Sequence, residues 1–381
     1  MKRIIPPFFI FIALISCQPR NNKQDNSKIL PSFTDTVKYA HGFNITQAGN
    51  IKILRIFNPW EGAHGIEFKY ILCPRGQQIP DSLRNTKIIY TPVSRIICLS
   101  TTHVAMLSFL GKVNTLVGVA SPNFVNDSLT RKMISAGQVT DIGYDQALNY
   151  EAIVALKPDI VMAYGVHGET ATQYKKLEDL GINVVLNGEY LETSPLGKLE
   201  WVKFLASFYN MADVADKKFS SIEKKYLQLS ELCNKIKDKP KVMIGLPWKG
   251  AWYVPGGDSY IAQLIDKAGG NYLWKDINGH ESVPLNFEKV IERAGQADIW
   301  LNTGSANSLK DIQSEDSRLN NIKPFINKAT FNNNARTNPA GGNDFWESGV
   351  THPEIILKDL IKILHPELLP DYSLVYYKKL N

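Results

Sequence analysis

The residue types most easily tied to chemistry in this sequence are a serine and a histidine that stand far apart in the chain. Ser259 ends the segment GGDS, and His352 stands in the segment THP. A Ser/His pair can carry out acyl transfer when the imidazole removes the hydroxyl proton. Ser259 also directly precedes a helix predicted over YIAQLIDKAGG, where serine serves as an N-cap. A hydrolase is therefore one alternative, and a helix cap is the other explanation of Ser259.

These two segments resemble the nucleophile block and the terminal histidine of SGNH-type hydrolases only in part. Three residues before His352, where that family has an aspartate, the chain has Gly349. The nucleophile block should also follow the first strand of a complete domain, yet only about 120 residues remain after Ser259, near the lower limit of domain size. We therefore expect no enzymatic activity.

Four histidines, His103, His167, His280 and His352, raise the question of a metal site. Proteins that bind zinc or manganese use several convergent histidine and carboxylate ligands. Here the histidines are dispersed, with no HxH or HExxH spacing. We predict no metal site and no cofactor, although a divalent metal ion as the bound ligand, or a histidine as the axial ligand of a haem iron, stays open.

A third pattern is a phrase that occurs twice. Leu148–Gly165 reads LNYEAIVALKPDIVMAYG, and Leu285–Gly304 reads LNFEKVIERAGQADIWLNTG. Asn149 and Asn286 are good N-cap residues, and the glutamate two positions later lies in the first helical turn, where the helix dipole favours negative charge. A short apolar run that suits a buried parallel strand follows each helix. The repeat predicts a helix-then-strand unit in each of two α/β lobes.

The beginning of the chain predicts export and lipidation. Lys2 and Arg3 form a basic region, and Ile4–Ile15 form an apolar region too short to cross a bilayer as an ordinary helix. The following segment, LISC, resembles a bacterial lipobox, in which Cys17 becomes the lipidated first residue of the mature protein. Two or more acyl chains on one cysteine suffice for stable anchoring to a lipid bilayer. The formal net charge of +6 over 381 residues is too weak to imply a nucleic-acid partner.

Hydrophobic periodicity predicts the remaining organisation. Strand-like runs such as IKILRIF and IEFKYIL predict a small antiparallel β-meander, and strands alternating with helices after it predict parallel βαβ units. Apolar residues spaced by three and four over Met211–Ile236 predict one long helix between the lobes. The predicted division is a signal peptide (1–16), a tether (17–32), a β-rich N-terminal extension (33–92), an N-terminal α/β lobe (93–198), a helical linker (199–238) and a C-terminal α/β lobe (239–381).

This arrangement resembles the class III periplasmic substrate-binding proteins of ABC importers, from about Val93 to Leu364. Four segments carry the resemblance: SRIICLSTTHVAMLSFLGKVNTLVGVA, DIGYDQALNYEAIVALKPDIVMAYG, AWYVPGGDSYIAQLIDKAGGNYLW and NDFWESGVTHPEIILKDL. The second segment is the most specific of them. The resemblance implies two Rossmann-like lobes with parallel sheets joined by one long helix. The extension at 33–92 is not part of the usual pattern of this family.

The resemblance also implies a function. Members of the family capture cobalamin, a ferric siderophore or haem in the cleft between the lobes and deliver it to an ABC permease and its ATPase. A surface glutamate on each lobe meets arginines of the permease, and the matching positions here are Glu151 and Glu288. The helix dipole alone also favours a glutamate in a first helical turn, so docking is one of two explanations for this pair. The expected location is periplasmic, anchored to a bacterial membrane.

Loops at the carboxyl ends of the predicted strands should line the cleft, because ligands of open α/β sheets bind there. Aromatic side chains in such loops suit a large, flat or partly apolar ligand. The candidate ligand-binding residues are Thr102, His103, Phe124, Tyr144 and Tyr164 in the first lobe and Trp248, Trp252, Tyr253 and Trp346 in the second.

Overall fold

The computed structural model describes residues 37–79, 83, 86–144, 147–165 and 170–381. The predicted signal peptide and tether, with the lipidation site Cys17, lie outside these residues, as does His167. Within the described ranges, no helix has both the length and the apolar composition needed to cross a bilayer.

The N-terminal extension forms one four-stranded sheet. Its strands are β1 (Phe43–Ala48), β2 (Ile51–Phe57), β3 (Glu67–Pro74) and β4 (Ile88–Thr91), in that spatial order. The first three pair antiparallel as predicted, but β4 pairs parallel to β3, so the sheet is not a purely antiparallel meander. A tight turn would force antiparallel pairing, whereas the longer connection between Pro74 and Ile88 allows β4 to pair in parallel with the second half of β3, starting at Ile71.

Three glutamates of the first lobe and linker hold the segment that leads into this sheet. Carboxylate oxygens of Glu200 accept hydrogen bonds from the backbone N–H groups of residues 38, 39 and 40 at 2.6–3.0 Å. Glu192 accepts the next two, from residues 41 and 42, at 2.9–3.1 Å, together with the indole N–H of Trp201 at 3.0 Å. Glu223 accepts from the Lys38 ammonium and the Tyr39 hydroxyl. The extension is therefore fixed to the main fold.

The first lobe is built around a five-stranded parallel sheet. Its elements are β5 (Ile96–Cys98), α1 (Thr101–Leu110), β6 (Leu116–Val119), α2 (Ser128–Ser135), β7 (Thr140–Asp141), β8 (Gly143–Tyr144), β9 (Ala147–Leu148), α3 (Tyr150–Ala155), β10 (Ile160–Ala163), α4 (Thr170–Asp179) and β11 (Val184–Leu186). The strand order is β11-β10-β5-β6-β7, and β8 pairs with β9 as a separate small ribbon. Along the chain, helices connect successive parallel strands, as in βαβ units.

Two helices link the lobes. α5 (Pro195–Ser207) is buried on nearly all sides, and α6 (Ala212–Cys233) packs against it. At 1.5 Å per residue, the 22 residues of α6 span about 33 Å. Its buried residues include Ala215, Phe219, Ile222, Tyr226 and Cys233 of the predicted stripe, so the apolar periodicity located the packed face correctly. The helix ends three residues before Ile236.

The second lobe repeats the α/β plan with a mixed sheet. Its elements are β12 (Lys241–Ile244), β13 (Pro247–Trp248), β14 (Ala251–Pro255), α7 (Tyr260–Lys267), β15 (Asn271–Tyr272), β16 (Ser282–Leu285), α8 (Phe287–Ala294), β17 (Ile299–Leu301), α9 (Leu309–Glu315), α10 (Lys323–Ile326), β18 (Thr330–Asn332), α11 (Pro353–Leu364) and β19 (Lys378–Lys379). The strand order is β15-β12-β17-β18-β19, with only β19 antiparallel. The expectation of two α/β lobes is confirmed. A three-stranded antiparallel sheet, β13-β14-β16, was not predicted.

The repeated phrase has the same structural role in both lobes. The side chain of Asn149 caps α3 by accepting the N–H of Ala152 at 3.0 Å, and Asn286 caps α8 by accepting the N–H of Lys289 at 2.9 Å. The shared aspartate acts at the other end of each unit. Asp159 accepts backbone N–H groups of residues 94 and 95, just before β5, and Asp298 accepts that of residue 241 at the start of β12, at 2.7–3.0 Å. Each aspartate thus ties its unit to the neighbouring strand of the sheet.

Trp252 does not line the cleft, contrary to the sequence prediction. Its side chain is fully buried on the inner face of β14, where the indole lies 6.0 Å from Trp300 at an interplanar angle of 29°. The indole N–H donates to the backbone carbonyl of Ile244 at 3.0 Å. Successive side chains of a strand point to opposite faces, so the burial of Trp252 leaves its neighbour Tyr253 facing outward.

Trp252→Ala should therefore destabilise the fold. The expected loss in the free energy of unfolding is about 3–5 kcal/mol, because a large cavity opens in the core and a buried carbonyl loses its donor. Trp248→Ala is the matched control, since Trp248 is 60% exposed on the neighbouring strand and should cost less than about 1 kcal/mol. Urea unfolding of both variants tests this, and equal losses would contradict the assignment of Trp252 to the core.

Candidate functional site

The loops of the two lobes meet at the carboxyl ends of their central strands. The segment after β6 that contains Phe124 lies against residues 336–347 of the second lobe. The amide of Asn338 donates to the backbone carbonyl of Asn123 at 3.1 Å, and a side chain added at Gly342 would collide with the carbonyl of Phe124. This meeting point is the usual place for a ligand site in open α/β sheets.

Exposed aromatic rings concentrate in these loops and on the small antiparallel sheet. In the part of the chain that the structure describes, six aromatic side chains are at least 44% exposed. Five of them are among the predicted ligand-binding residues: Phe124, Tyr144, Trp248, Tyr253 and Trp346. The sixth, Tyr90, lies on β4 of the extension. Exposed rings of this size are typical of binding surfaces, because a soluble protein otherwise buries them.

Phe124, Tyr144 and Trp346 belong to one hydrogen-bonded group. The N–H of Ser121, just before the Phe124 turn, donates to the carbonyl of Gly143 at 2.8 Å, which places Tyr144 next to that turn. Across the lobe boundary, the carboxylate of Glu347 accepts the backbone N–H of Asn126 at 2.6 Å. Three predicted ligand-binding residues from separate parts of the sequence therefore lie on segments that are hydrogen-bonded to one another.

Trp248 and Tyr253 form a second aromatic group. They lie on the outer face of β13 and β14, with ring centroids 6.1 Å apart. The ammonium of Lys249 lies 4.5 Å from the Trp248 ring centroid, within the range of a cation–π contact.

The three other predicted ligand-binding residues of the first lobe, Thr102, His103 and Tyr164, differ in how exposed their side chains are. Thr102 is half-buried and its hydroxyl is 2.9 Å from that of Ser100, the N-cap of α1. Tyr164 is also half-buried, and its ring makes an edge contact with His103 at 6.3 Å. His103 itself is only 1% exposed, and burial lowers its pKa to about 3, so the imidazole is neutral. This burial contradicts the prediction that His103 contacts the ligand, because a ring without exposed surface cannot reach it.

The residues considered for acyl transfer each have a structural role. Ser259 is 5% exposed and caps α7, accepting the N–H of Ala262 at 3.4 Å. His352 lies 3.3 Å from the carboxylate of Glu354 and packs edge-on against Phe109. No hydrogen bond joins the two side chains, both of which belong to the described residues. The described ranges also contain no group of three or more His, Cys, Asp or Glu side chains placed to hold a metal ion.

The two glutamates of the repeat lie on the surface. Glu151 is exposed, and among the described residues no hydrogen bond or ion pair to it is present. The Glu288 side chain is 74% exposed, with a loose ion pair to Arg318 at 3.5 Å. A cation covers the preceding aromatic ring in both copies: Lys176 lies 4.0 Å from the Tyr150 centroid, and Arg318 lies 3.8 Å from that of Phe287. The two glutamates thus share a neighbouring aromatic ring covered by a cation, but among the described residues only Glu288 also pairs with that cation.

Comparison with known proteins identifies the family. The model of the periplasmic binding protein family matches residues 96–341. This chain belongs to that family. The expected resemblance to class III binding proteins is confirmed, and the N-terminal extension lies outside the matched residues.

Relatives and solved structures agree with this assignment. An uncharacterized lipoprotein of Methanocaldococcus jannaschii is 28% identical over 376 residues, covering 92% of this chain and 86% of that protein. A cobalamin-binding protein of Halobacterium salinarum is 24% identical over 225 residues, covering 56% of this chain and 54% of that protein. A periplasmic haem-binding protein from Pseudomonas aeruginosa superposes with a TM-score of 0.54 at 17% identity, over 72% of this chain and 93% of that one. At that identity the likeness shows the fold alone.

Glu347 is the residue of this periplasmic binding protein that sequence reasoning undervalued. It follows Trp346 and is 1% exposed, with its carboxylate accepting the N–H groups of Asn126 at 2.6 Å and Asp127 at 2.7 Å. Burial raises the pKa of Glu347 to about 7, although these two hydrogen bonds favour the charged form. The only sequence signal was its place beside two aromatics, because its partners lie about 220 residues away in the chain.

A separate cavity of about 510 Å³ lies beside this junction. It is lined by parts of α1, residues 126–128, α6 and residues 344–352. None of the exposed aromatic side chains contributes to its wall. The cavity is therefore distinct from the aromatic surface, and Glu347 is one of the residues that line it.

Glu347 should make stability depend on pH. Since its folded pKa of about 7 exceeds the ordinary value of 4.5, the native state holds a proton that the unfolded chain releases between these values. The contribution of Glu347 to the free energy of unfolding should fall as pH rises from 4.5 to 7 and change little above that. Relative to the Glu347→Gln variant, whose residue 347 cannot titrate, the free energy of unfolding of the wild-type protein should fall by about 3 kcal/mol between pH 4.5 and 7.

Urea unfolding of both proteins at several pH values from 4.5 to 7.5 measures this difference. A difference that does not change with pH would mean that the hydrogen bonds from residues 126 and 127 fully offset the burial of the charge.

Proposed function

We propose that this periplasmic binding protein is the substrate-binding lipoprotein of an ABC importer. It captures a bulky metal chelate, meaning a ferric siderophore, haem or cobalamin, in the inter-lobe cleft and delivers it to the permease and ATPase subunits. The observation that carries the proposal is the group of exposed rings, Phe124, Tyr144 and Trp346, at the point where the loops of the two lobes meet.

The chemistry of this surface supports a large organic ligand. Exposed aromatic faces gain from contact with an apolar or conjugated surface and discriminate poorly among small ions. A bare metal ion would instead need several convergent oxygen, nitrogen or sulfur ligands, and the described residues hold no such group. The cobalamin and haem binders among the similar proteins support the same ligand class.

The cleft should be largely preformed. Glu347 and Asn338 bond the second lobe to the Phe124 loop of the first lobe, and α6 is packed along its length against α5 and α11. A large closure would break these contacts, so we expect a lobe rotation of only a few degrees. A preformed site lowers the ordering cost of binding.

Glu151 and Glu288 are the proposed docking residues for the two permease subunits. The asparagine, the aspartate and the buried apolar residues of the repeat have structural roles in both lobes, whereas the glutamates point to solvent. Exposed carboxylates in matching places on both lobes suit a partner that presents one basic site to each lobe.

The proposed location is the periplasmic face of a bacterial membrane, with Cys17 as the lipid attachment site. Among the curated relatives, the Methanocaldococcus protein is named a lipoprotein, which supports the anchor.

The experiment that tests the ligand and the anchor uses the full chain and a Cys17→Ser variant. Wild type should pellet with membranes in high salt, and Cys17→Ser should be soluble. The soluble protein is then titrated with cyanocobalamin, haemin and a ferric trihydroxamate by calorimetry. We expect one of these chelates to bind and Trp346→Ala to weaken that binding by about 2–4 kcal/mol, since an exposed central ring loses its contact area.

Tyr90→Ala is the matched control, because Tyr90 is an exposed ring on the extension and should leave the affinity unchanged. Binding of none of the three chelates would overturn the proposed ligand class. A Cys17→Ser protein that still pellets would overturn the anchor.

The docking proposal predicts a loss of transport without a loss of binding. Glu151→Ala combined with Glu288→Ala should keep the chelate affinity within about twofold, because both side chains are exposed on helices and neither belongs to the proposed aromatic ligand surface. Uptake by the reconstituted importer should fall at least about tenfold, since both permease contacts lose their charge partner. The control pair, Glu281→Ala and Glu292→Ala, removes two other exposed carboxylates of the second lobe. If the two double variants support equal uptake, Glu151 and Glu288 have no docking role and only interact favourably with the helix dipole.

A further inference from the structure

The N-terminal extension runs along the flank of the first lobe in a defined direction. Arg75, just after β3, contacts Asp159 at the amino end of β10 at 3.0 Å. Farther back in β3, the hydroxyl of Tyr70 accepts the N–H of Leu186, at the carboxyl end of β11, at 3.0 Å. Because β3 is therefore antiparallel to the strands of the lobe, the loop that precedes it lies at their carboxyl ends. That edge of the sheet is the one that faces the cleft.

This extension loop, residues 58–65, is held in one conformation. The N–H of Asn58 donates to the carbonyl of Ile66 at 2.9 Å, and the N–H of Ile66 donates to the Asn58 side chain at 3.1 Å. Within the loop, the N–H of Ala63 donates to the carbonyl of Trp60 at 3.1 Å. The Trp60 ring packs edge-on against Phe68 with centroids 6.0 Å apart. A loop closed by its own hydrogen bonds can present a fixed surface.

The extension loop touches the first lobe directly beside the candidate ligand residue Tyr164. A Cβ added to Gly165 would lie 3.2 Å from the Trp60 ring and 3.4 Å from the carbonyl of Pro59. Absence of a side chain at Gly165 thus lets the indole approach the backbone. The carbonyl of Gly165 also accepts the hydroxyl of Tyr190, whose ring makes an edge contact with Tyr164. Trp60, Tyr164 and Tyr190 therefore form one aromatic corner at the end of β10.

The outer residues of the extension loop are free to meet a ligand. Glu61 and His64 are exposed, whereas Pro59 and Ala63 are buried and form its base. The loop thus has an aromatic side against the lobe and a polar tip. Such a surface suits a chelate with an apolar face and hydrogen-bonding groups at its rim, such as amide or carboxylate substituents.

We propose that residues 58–65 form an additional wall of the ligand cleft, in which Glu61 and His64 contact the polar rim of the bound chelate. This inference rests on the proposed function and adds a specificity-determining segment that lies outside the residues matched by the family model. It gives the extension a role: the sheet carries the loop to the edge of the cleft, and the glutamate contacts at residues 38–42 keep the sheet in place.

A pair of single cysteines tests this placement. The native Cys73, Cys98 and Cys233 are buried, so in the Cys17→Ser protein a new surface thiol can be modified selectively. His64→Cys puts the thiol on the extension loop. Asn50→Cys, the control, puts it on the exposed β1–β2 turn, which lies at the opposite end of the same sheet because this turn precedes β2 and the extension loop follows it.

Each variant is treated with a polyethylene glycol maleimide in the presence or absence of saturating cyanocobalamin, haemin or ferric trihydroxamate. The chelate that binds should slow modification at position 64 at least about tenfold and leave position 50 unchanged. Conversely, protein already modified at position 64 should bind at least about tenfold more weakly than protein modified at position 50. Thermal unfolding of both variants confirms that neither exposed substitution disturbs the fold.

The outcomes separate this inference from the proposed function. If a chelate binds but the two positions react alike and modification at position 64 leaves the affinity unchanged, the extension loop is not part of the cleft, and the proposed function stands. If none of the chelates binds the unmodified protein, the proposed function fails, and the inference fails with it.

Discussion

Buried carboxylates that accept rows of backbone N–H groups hold the irregular segments of this chain onto its two lobes. Glu200 and Glu192 bind the N–H groups of residues 38–42, and Asp359 binds those of residues 375–377. Glu347 does the same for residues 126 and 127. An irregular segment has no strand partner for its N–H groups, and leaving them buried and unpaired would cost free energy. A charged acceptor makes stronger hydrogen bonds than a neutral one, which offsets part of the cost of burying the charge.

These contacts determine the shape of the binding surface. Without Glu347, the turn with Phe124 and the segment with Trp346 would lose two strong hydrogen bonds and keep those from the Asn338 amide. Without Glu192 and Glu200, the extension sheet would keep its apolar contacts with the first lobe but lose the bonds that fix its first residues. The raised pKa of Glu347 and of Asp359 shows that burial outweighs the favourable hydrogen bonds for both carboxyl groups. The cleft geometry is therefore maintained by groups that are themselves energetically costly to bury.

The sequence predicted those features that local patterns encode. The caps at Asn149 and Asn286 and the stripe of α6 follow from spacing alone, so the two lobes and the long helix could be predicted. Trp252 and Tyr253 were both assigned to the cleft, yet they are adjacent in a strand, and side-chain alternation lets only one of them face outward. The sequence did not lead us to predict β14, so the alternation of its side chains could not be used. His103 lies on α1, in which six of the ten residues are buried. Because burial extends over most of this helix, its position in the sequence did not show whether the imidazole is buried or exposed. Glu347 has its partners in the other lobe, and no local pattern encodes such a contact.

The repeated phrase shows how a structural repeat can be separated from a functional one. Two lobes of the same plan need the same helix cap and the same link between neighbouring strands, and this requirement accounts for the shared asparagine and aspartate. The same requirement does not account for the glutamate, because an exposed residue at the second helical position contributes at most about 1 kcal/mol through the dipole, and many side chains are tolerated there. In both lobes the aromatic ring that precedes the glutamate is covered by a cation. The proposed docking of one permease subunit to each lobe would account for an exposed carboxylate at this place in both lobes.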